Sequence, residues 1–239
     1  MRRRHPQQGR YREDEVLPVL RLVRILSLLF FTAIGSYAVF LASEDRDISY
    51  VKAIADRLEH GQTVTISQVA TAADIVLTKS ASHHCRSDIL RPAVFVAMYN
   101  LNRTNQAKDY DQWASLHGES QSYLATVVRC TPANGNVWLR DAFVERAISE
   151  DPTSLRRKML MASQLMPYEE QQVLARLSLW KRLSGHALSE CDDLARADIR
   201  AVLLYGNDKM KKALNEGMSP EFSVLVKNEV SKTTLPSVS

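Results

Sequence analysis

Ile25 to Ala42 reads ILSLLFFTAIGSYAVFLA, eighteen residues without a charge. As a helix rising about 1.5 Å per residue, this run is about 27 Å long, close to the hydrocarbon thickness of a bilayer. A single span has no partner strand to satisfy its backbone, so in lipid it must be helical. Leu22 and Val23 carry the apolar stretch past Arg24, whose long side chain can reach back to the headgroups. Residues 22–43 are therefore expected to be a transmembrane helix, with Ile25 and Ala42 bounding its uncharged part.

Charge supplies an orientation. Seven arginines (Arg2, Arg3, Arg4, Arg10, Arg12, Arg21, Arg24) precede the span, whereas only Arg46, Lys52 and Arg57 fall in the twenty residues after it. The positive-inside rule puts residues 1–21, a basic tail, in the cytoplasm and residues 44–239 across the membrane. A cleaved signal peptide is the rival reading, because Ser36-Tyr37-Ala38 has the small-x-small pattern. The apolar run nevertheless continues through Val39-Phe40-Leu41, which favours an uncleaved anchor. The net charge of +4 lies entirely in the tail, since residues 44–239 hold 24 basic and 24 acidic side chains. A nucleic-acid binder carries its basic surface on the folded domain, so nucleic acid is not expected as a partner.

Beyond the span the periodicity is helical almost throughout. Glu44-Asp45-Arg46-Asp47 is a polar start, and Ile48, Val51, Ile54, Ala55 and Leu58 keep i, i+3, i+4 spacing up to Gly61. Further helices are expected over 64–77, 87–101 with Pro92 in its early turns, 109–130 with a break near Gly118, 137–148 and 152–166. Others should cover 192–205, 209–215 and 221–229, leaving 232–239 as a flexible tail. Sustained period-two alternation between turn residues is missing, which argues against a sheet.

The middle of the chain repeats. Cys130-Thr131-Pro132 followed by Trp138-Leu139 aligns with Leu165-Met166-Pro167 followed by Val173-Leu174, at an offset of 35 residues. In each copy a helix ends, a proline follows two residues later, and an apolar pair arrives after it. The period is close to the 34 of a tetratricopeptide unit, and residues 118–183 resemble that family. Ala142 replaces the glycine expected at the eighth position, and the alanines of the second helix fall out of register. The fold expected is all-α: one transmembrane helix, then a TPR-like helical-hairpin array over 44–231. Trp138, Leu139, Val173 and Leu174 are its expected repeat core. Such hairpins stack because none can bury its apolar face alone, and the stack presents a concave binding surface.

Chemistry leaves little trace. His83-His84-Cys85 is the densest group of ligand-type residues, and with Cys130, Cys191, His117 or His186 it could build a zinc site. No second pair stands at ligand spacing, and CxxC, HExxH, GxSxG and phosphate-loop motifs are all missing. Asp192-Asp193 and Glu169-Glu170 suit solvated helix starts. No catalytic, cofactor-binding or metal-binding residue is assigned, and no cofactor. Thiols on the outer side tend to pair. A hairpin of helices starting near Cys85 and ending at Cys130 brings those two cysteines together, with Cys191 left over; three free thiols remain an alternative, because connectivity does not follow from sequence.

The layout of arginine-rich tail, single span and TPR-like helices resembles the single-pass accessory proteins encoded with surface-polysaccharide assembly machinery in rhizobia-like bacteria. Cys85-Arg86-Ser87-Asp88-Ile89-Leu90-Arg91 and the Pro132 to Leu139 segment carry that likeness. The architecture is also similar to the anchored helical-repeat chaperone of the Sec translocon. These resemblances imply a scaffold or assembly factor of the bacterial inner membrane rather than an enzyme. It would be single-pass with a periplasmic domain, and its partners would be inner-membrane exopolysaccharide or translocation machinery. A helical cell-wall enzyme, with a lone carboxylate such as Glu119, is the competing class. Asn102-Arg103-Thr104, a glycosylation sequon, leaves room for a lumenal eukaryotic protein.

Overall fold

The computed structural model describes residues 13–79, 85 and 87–234. Most of the basic tail, His83, His84 and residues 235–239 lie outside that set. Eleven helices follow one another and no strand occurs among the described residues. The chain divides into residues 1–50 and 51–239.

In the first unit, helix α1 (Glu13–Glu59) passes straight through Glu44 to Asp47. The polar run expected to start a new helix therefore lies inside one, because neither glycine nor proline interrupts residues 36–59. Residues 24–43 are exposed all round, Phe31 at 69% and Val39 at 71%. Among the described residues, one helix, in the stretch Arg24–Glu59, is long and apolar enough to cross a membrane. With no charged face, Thr32 and Ser36 turn their hydroxyls onto carbonyls one turn back.

The second unit opens on the end of α1, where Val51, Ile54 and Ala55 are buried. Helix α2 (Ile66–Lys79) starts at a reciprocal cap: the Gln68 N–H donates to Thr65 Oγ1, and the Thr65 N–H donates to Gln68 Oε1. Helix α3 (Ser87–Arg103) is tied to α1 by Lys52 to Asp88 at 2.5 Å and Arg91 to Glu59 at 3.3 Å. Helix α4 (Tyr110–Cys130) is capped by Asp109 and runs unbroken through Gly118, whose neighbourhood is open space.

Two helix pairs follow, α5 (Gly135–Ile148) with α6 (Pro152–Leu165) and α7 (Glu170–Trp180) with α9 (Asp192–Tyr205). A short helix α8 (Gly185–Glu190), which periodicity does not announce, sits inside the second pair. Next come α10 (Asp208–Asn215), which packs on α7 and α9, and α11 (Pro220–Thr234), which packs on α9 and α8. Proline sets the joints. Thr131 and Met166 each precede a proline, which disfavours helical backbone, and both adopt φ near −135° while donating N–H to the carbonyl four residues back. At the third joint Gly206 does this work, and a Cβ there would run into the Val202 carbonyl.

Burial recurs along the helices. α6 buries Leu155, Lys158, Met159 and Ala162; α9 buries Ala195, Asp198, Ile199 and Val202; α11 buries Phe222, Leu225, Val226 and Glu229. All three use the same i, i+3, i+4, i+7 spacing. Asp141, Ala142, Val144 and Glu145 of α5 likewise match Arg176, Leu177, Leu179 and Trp180 of α7, thirty-five residues on. Long-range links recur too: Arg146 donates to the Arg182 carbonyl, 36 residues away, and Lys181 to the Glu216 carbonyl, 35 away.

Each of the two pairs holds a buried charge network at matching positions, with the signs reversed. In the first, Lys158 of α6 donates to Asp141 (3.0 Å) and Glu145 (2.8 Å) of α5. In the second, Asp198 of α9 accepts from Arg176 (2.8 Å) and from the Trp180 indole (2.8 Å) of α7. Two carboxylates share one cation in the first network. Burial raises the pKa of Asp141 against the pull of Lys158, while Glu145 is lowered, its own burial outweighed by hydrogen bonds from Lys158 and Ser149.

The proposed repeat core divides by depth. Leu139 and Val173 are buried, whereas Trp138 and Leu174 are half-buried against the same core. The indole of Trp138 reaches out to the Pro132 carbonyl at 2.8 Å, which keeps the ring at the joint. Trp180, with no exposure, is the tryptophan of the interior.

Candidate functional site

Two clefts of about 470 Å³ each open along α3, α5 and α7 and share Asn136 and Arg140. The first is walled by Leu90, Arg91, Val94 and Phe95 of α3, by Val127 and Thr131 at the end of α4, and by Met166. The second runs from Met98 and Asn102 past Leu139 and Phe143 to Gln171, Gln172, Ala175 and Arg182. Positions 91, 95, 98 and 102 follow helical spacing, so one face of α3 lines the whole groove. Asn136 and Arg140 are one turn apart on α5 and project together.

Arg140 is the central charge. It is half-buried and donates Nε–H to Asn136 Oδ1 at 2.9 Å, which fixes the guanidinium plane. Burial and then the nearby Arg91 hold its pKa below the usual arginine value, with Glu59 acting the other way; a guanidinium stays charged regardless. Gln172 brings a buried Oε1 with no hydrogen-bond partner. Glu59, already paired with Arg91, is the one acidic side chain in the two clefts. Neither cleft is lined by His or Cys, and Glu59 is the carboxylate of the first.

The buried ionisable groups lie elsewhere and are committed. Asp141, Glu145, Lys158, Arg176 and Asp198 serve the two networks, and Glu229 accepts from Arg196, Arg200 and Lys232. A third cleft of about 540 Å³ between α2, α3 and α4 includes Glu119, whose carboxylate accepts from Ser115 at 2.8 Å. Groups of three or more His, Cys, Asp or Glu side chains suited to a metal do not occur among the described residues.

The cysteines sit where the groove begins. Cys85 and Cys130 form a disulfide with Cα atoms 5.0 Å apart, joining the entrance of α3 to the end of α4. Cys191 is free and has no exposure; burial pushes its thiol up to about 11, which leaves it protonated and inert at neutral pH.

His117 is engaged within α4. Its ring packs on Trp113 with centroids 4.0 Å apart, and its Nδ1 lies 3.0 Å from the Trp113 carbonyl. Burial lowers its pKa, partly opposed by that carbonyl. The unfolded chain therefore binds the proton more readily than the folded one. Stability is full above the unfolded value of about 6.5 and falls as pH drops below it. Denaturation midpoints measured from pH 7.5 to 5 should decline in the wild type, and His117→Phe should flatten that decline. An unchanged slope would mean that other groups carry it.

No groove residue stands out in the sequence. Arg91 with Phe95, or Asn136 with Arg140, is an i, i+4 pair like those on any solvated helix face, and only the tertiary placement of α3 and α5 makes the four converge. Compared with protein-family models, curated proteins and solved structures, the chain matches none.

Proposed function

We propose that this protein is a membrane-anchored scaffold or assembly factor. Residues 25–42 span the bacterial inner membrane, the arginine-rich tail stays in the cytoplasm, and a TPR-like domain faces the periplasm. There it holds a protein partner in the groove along α3, α5 and α7, in the service of exopolysaccharide synthesis or export. The observation that carries this reading is the recurring burial register of the helix pairs beside a groove lined by alternate helices, a surface such stacks use for binding. The exposed apolar span and the disulfide, which persists on the oxidising side of the membrane, support the topology. The engagement of Glu59, the carboxylate of the groove, with Arg91 is in keeping with binding.

A photo-crosslinking amino acid at Phe143 in the full-length membrane-embedded protein is expected to capture an inner-membrane component of the polysaccharide machinery. The same probe at Arg157, on the exposed side of α6, should not. An alkaline phosphatase reporter after Ser239 should be active. An inactive reporter overturns the topology, and equal labelling from both positions overturns the groove as the binding surface.

A further inference from the structure

We infer that the groove takes an extended peptide segment and that Arg140 receives a carboxylate of that segment. The inference rests on the reading of the groove as a partner site. Arg140 commits only its Nε–H, to Asn136, and its two terminal nitrogens have no hydrogen-bond partner among the described residues. The neighbouring Arg91 is held by Glu59, so Arg140 is left with the unmatched charge. The second cleft contains Arg140 and Arg182 and no acidic side chain. Two guanidinium groups sharing the single carboxylate of Glu59 leave one positive charge in excess at a half-buried site, which an incoming anion relieves.

Gln172 points to the rest of the ligand. Its buried Oε1 lacks a donor, and turning the amide over replaces an unmet acceptor with unmet donors. Gln172 is itself partly exposed along the cleft, and turning its side chain into the groove lets a peptide backbone N–H or carbonyl satisfy the amide. Met98, Leu139 and Phe143 line the same cleft and suit an apolar side chain. An acidic peptide supplies carboxylate, backbone amide and apolar side chain together, whereas an anionic polysaccharide lacks the last of these.

The test uses the full-length protein in nanodiscs of neutral lipid. The probe is a fluorescein-labelled pool of heptapeptides with Asp at alternate positions and randomised apolar residues between. A matched pool carries Asn in place of Asp and an amidated C-terminus. The acidic pool is expected to bind at least ~10-fold more tightly than the neutral one and to weaken with added salt. Arg140→Gln should cost at least ~10-fold in that affinity, Arg140→Lys less, and Arg157→Gln nothing. If circular dichroism shows Arg140→Gln to be unfolded, Gln172→Leu and the salt titration carry the test, and both should weaken binding. Equal affinity for the two pools, insensitivity to these variants, or binding of alginate fragments in place of either pool overturns the proposal. If the Phe143 crosslink still captures its partner while acidic peptides fail, the ligand class is wrong and the scaffold reading stands. If both fail, both are wrong.

Discussion

Asp198→Ala should destabilise the domain by about 3–5 kcal/mol, the cost of leaving a buried charge without its partner. Arg176 has no exposure, and its guanidinium is committed throughout. It donates from Nε and Nη2 to the Asp198 carboxylate, from Nη1 to the Met166 carbonyl at 2.7 Å and from Nη2 to the Pro167 carbonyl at 3.0 Å. One side chain thus ties α7 to α9 and to the joint that follows α6. Without Asp198 the guanidinium cannot shed its proton, and the Trp180 indole loses its acceptor as well. Domains of this size are stable by only about 5–15 kcal/mol, so the variant should melt roughly 6–20 °C lower. Circular dichroism on the full-length protein in micelles measures this, and a loss below about 1 kcal/mol would show that the network does not hold the two pairs together. The opposite polarity in the first pair gives an internal control. Lys158→Ala leaves Asp141 and Glu145 facing each other, but carboxylates can take up protons. Its cost should therefore shrink as pH falls, and that of Asp198→Ala should not.

Replacing both Cys85 and Cys130 with serine is expected to lower stability by about 4 kcal/mol, from the chain entropy released when a loop of 45 residues is no longer closed. The effect should reach the groove as well as the fold. The bond pins the beginning of α3, where Leu90 and Arg91 wall the first cleft, to the end of α4, where Val127 and Thr131 form the facing wall. Cys85 also holds a left-handed backbone, φ +31°, which a non-glycine residue keeps only when its surroundings impose it. Losing the bond should release that residue and loosen the cleft. Urea titrations of the oxidised wild type, the reduced wild type and the double variant measure the stability term. Agreement of all three within about 1 kcal/mol would sink the expectation. Cys191→Ser serves as the comparison, since that thiol is buried and unpaired.

Much of the helical order was legible because its causes are local. An uncharged run between arginines reads as a membrane-length helix, and prolines 132 and 167 stop the helices at Cys130 and Leu165 because the preceding residues cannot remain helical. The offset of 35 between those joints is visible in the letters and returns in the buried positions of α5 and α7. Two local readings went differently. Four consecutive polar residues did not begin a helix at Glu44, since polar side chains alone do not break one, and Gly118 did not break α4, since an isolated glycine in a helix costs only about 1 kcal/mol.

Depth and convergence needed long-range packing. Periodicity says which side of a helix is apolar but not which neighbour covers it: Trp138, an expected core residue, is held half-buried at a joint by the Pro132 carbonyl, and Trp180 is the tryptophan enclosed with Asp198. The sequence singles out neither Arg176 nor Asp198, 22 residues apart, because burying them is tolerable only once each has the other. The groove is the furthest from sequence of all. Its walls come from residues 59 to 182 and exist only where α3, α5 and α7 meet the ends of α1 and α4. Local sequence fixed where this chain is helical and where its helices end, because those choices are settled within a few residues. Which polar groups are enclosed, and which remain unsatisfied at a surface, was settled by the packing of the helices on one another, because a buried charge or an open groove is defined by neighbours that the local sequence does not contain.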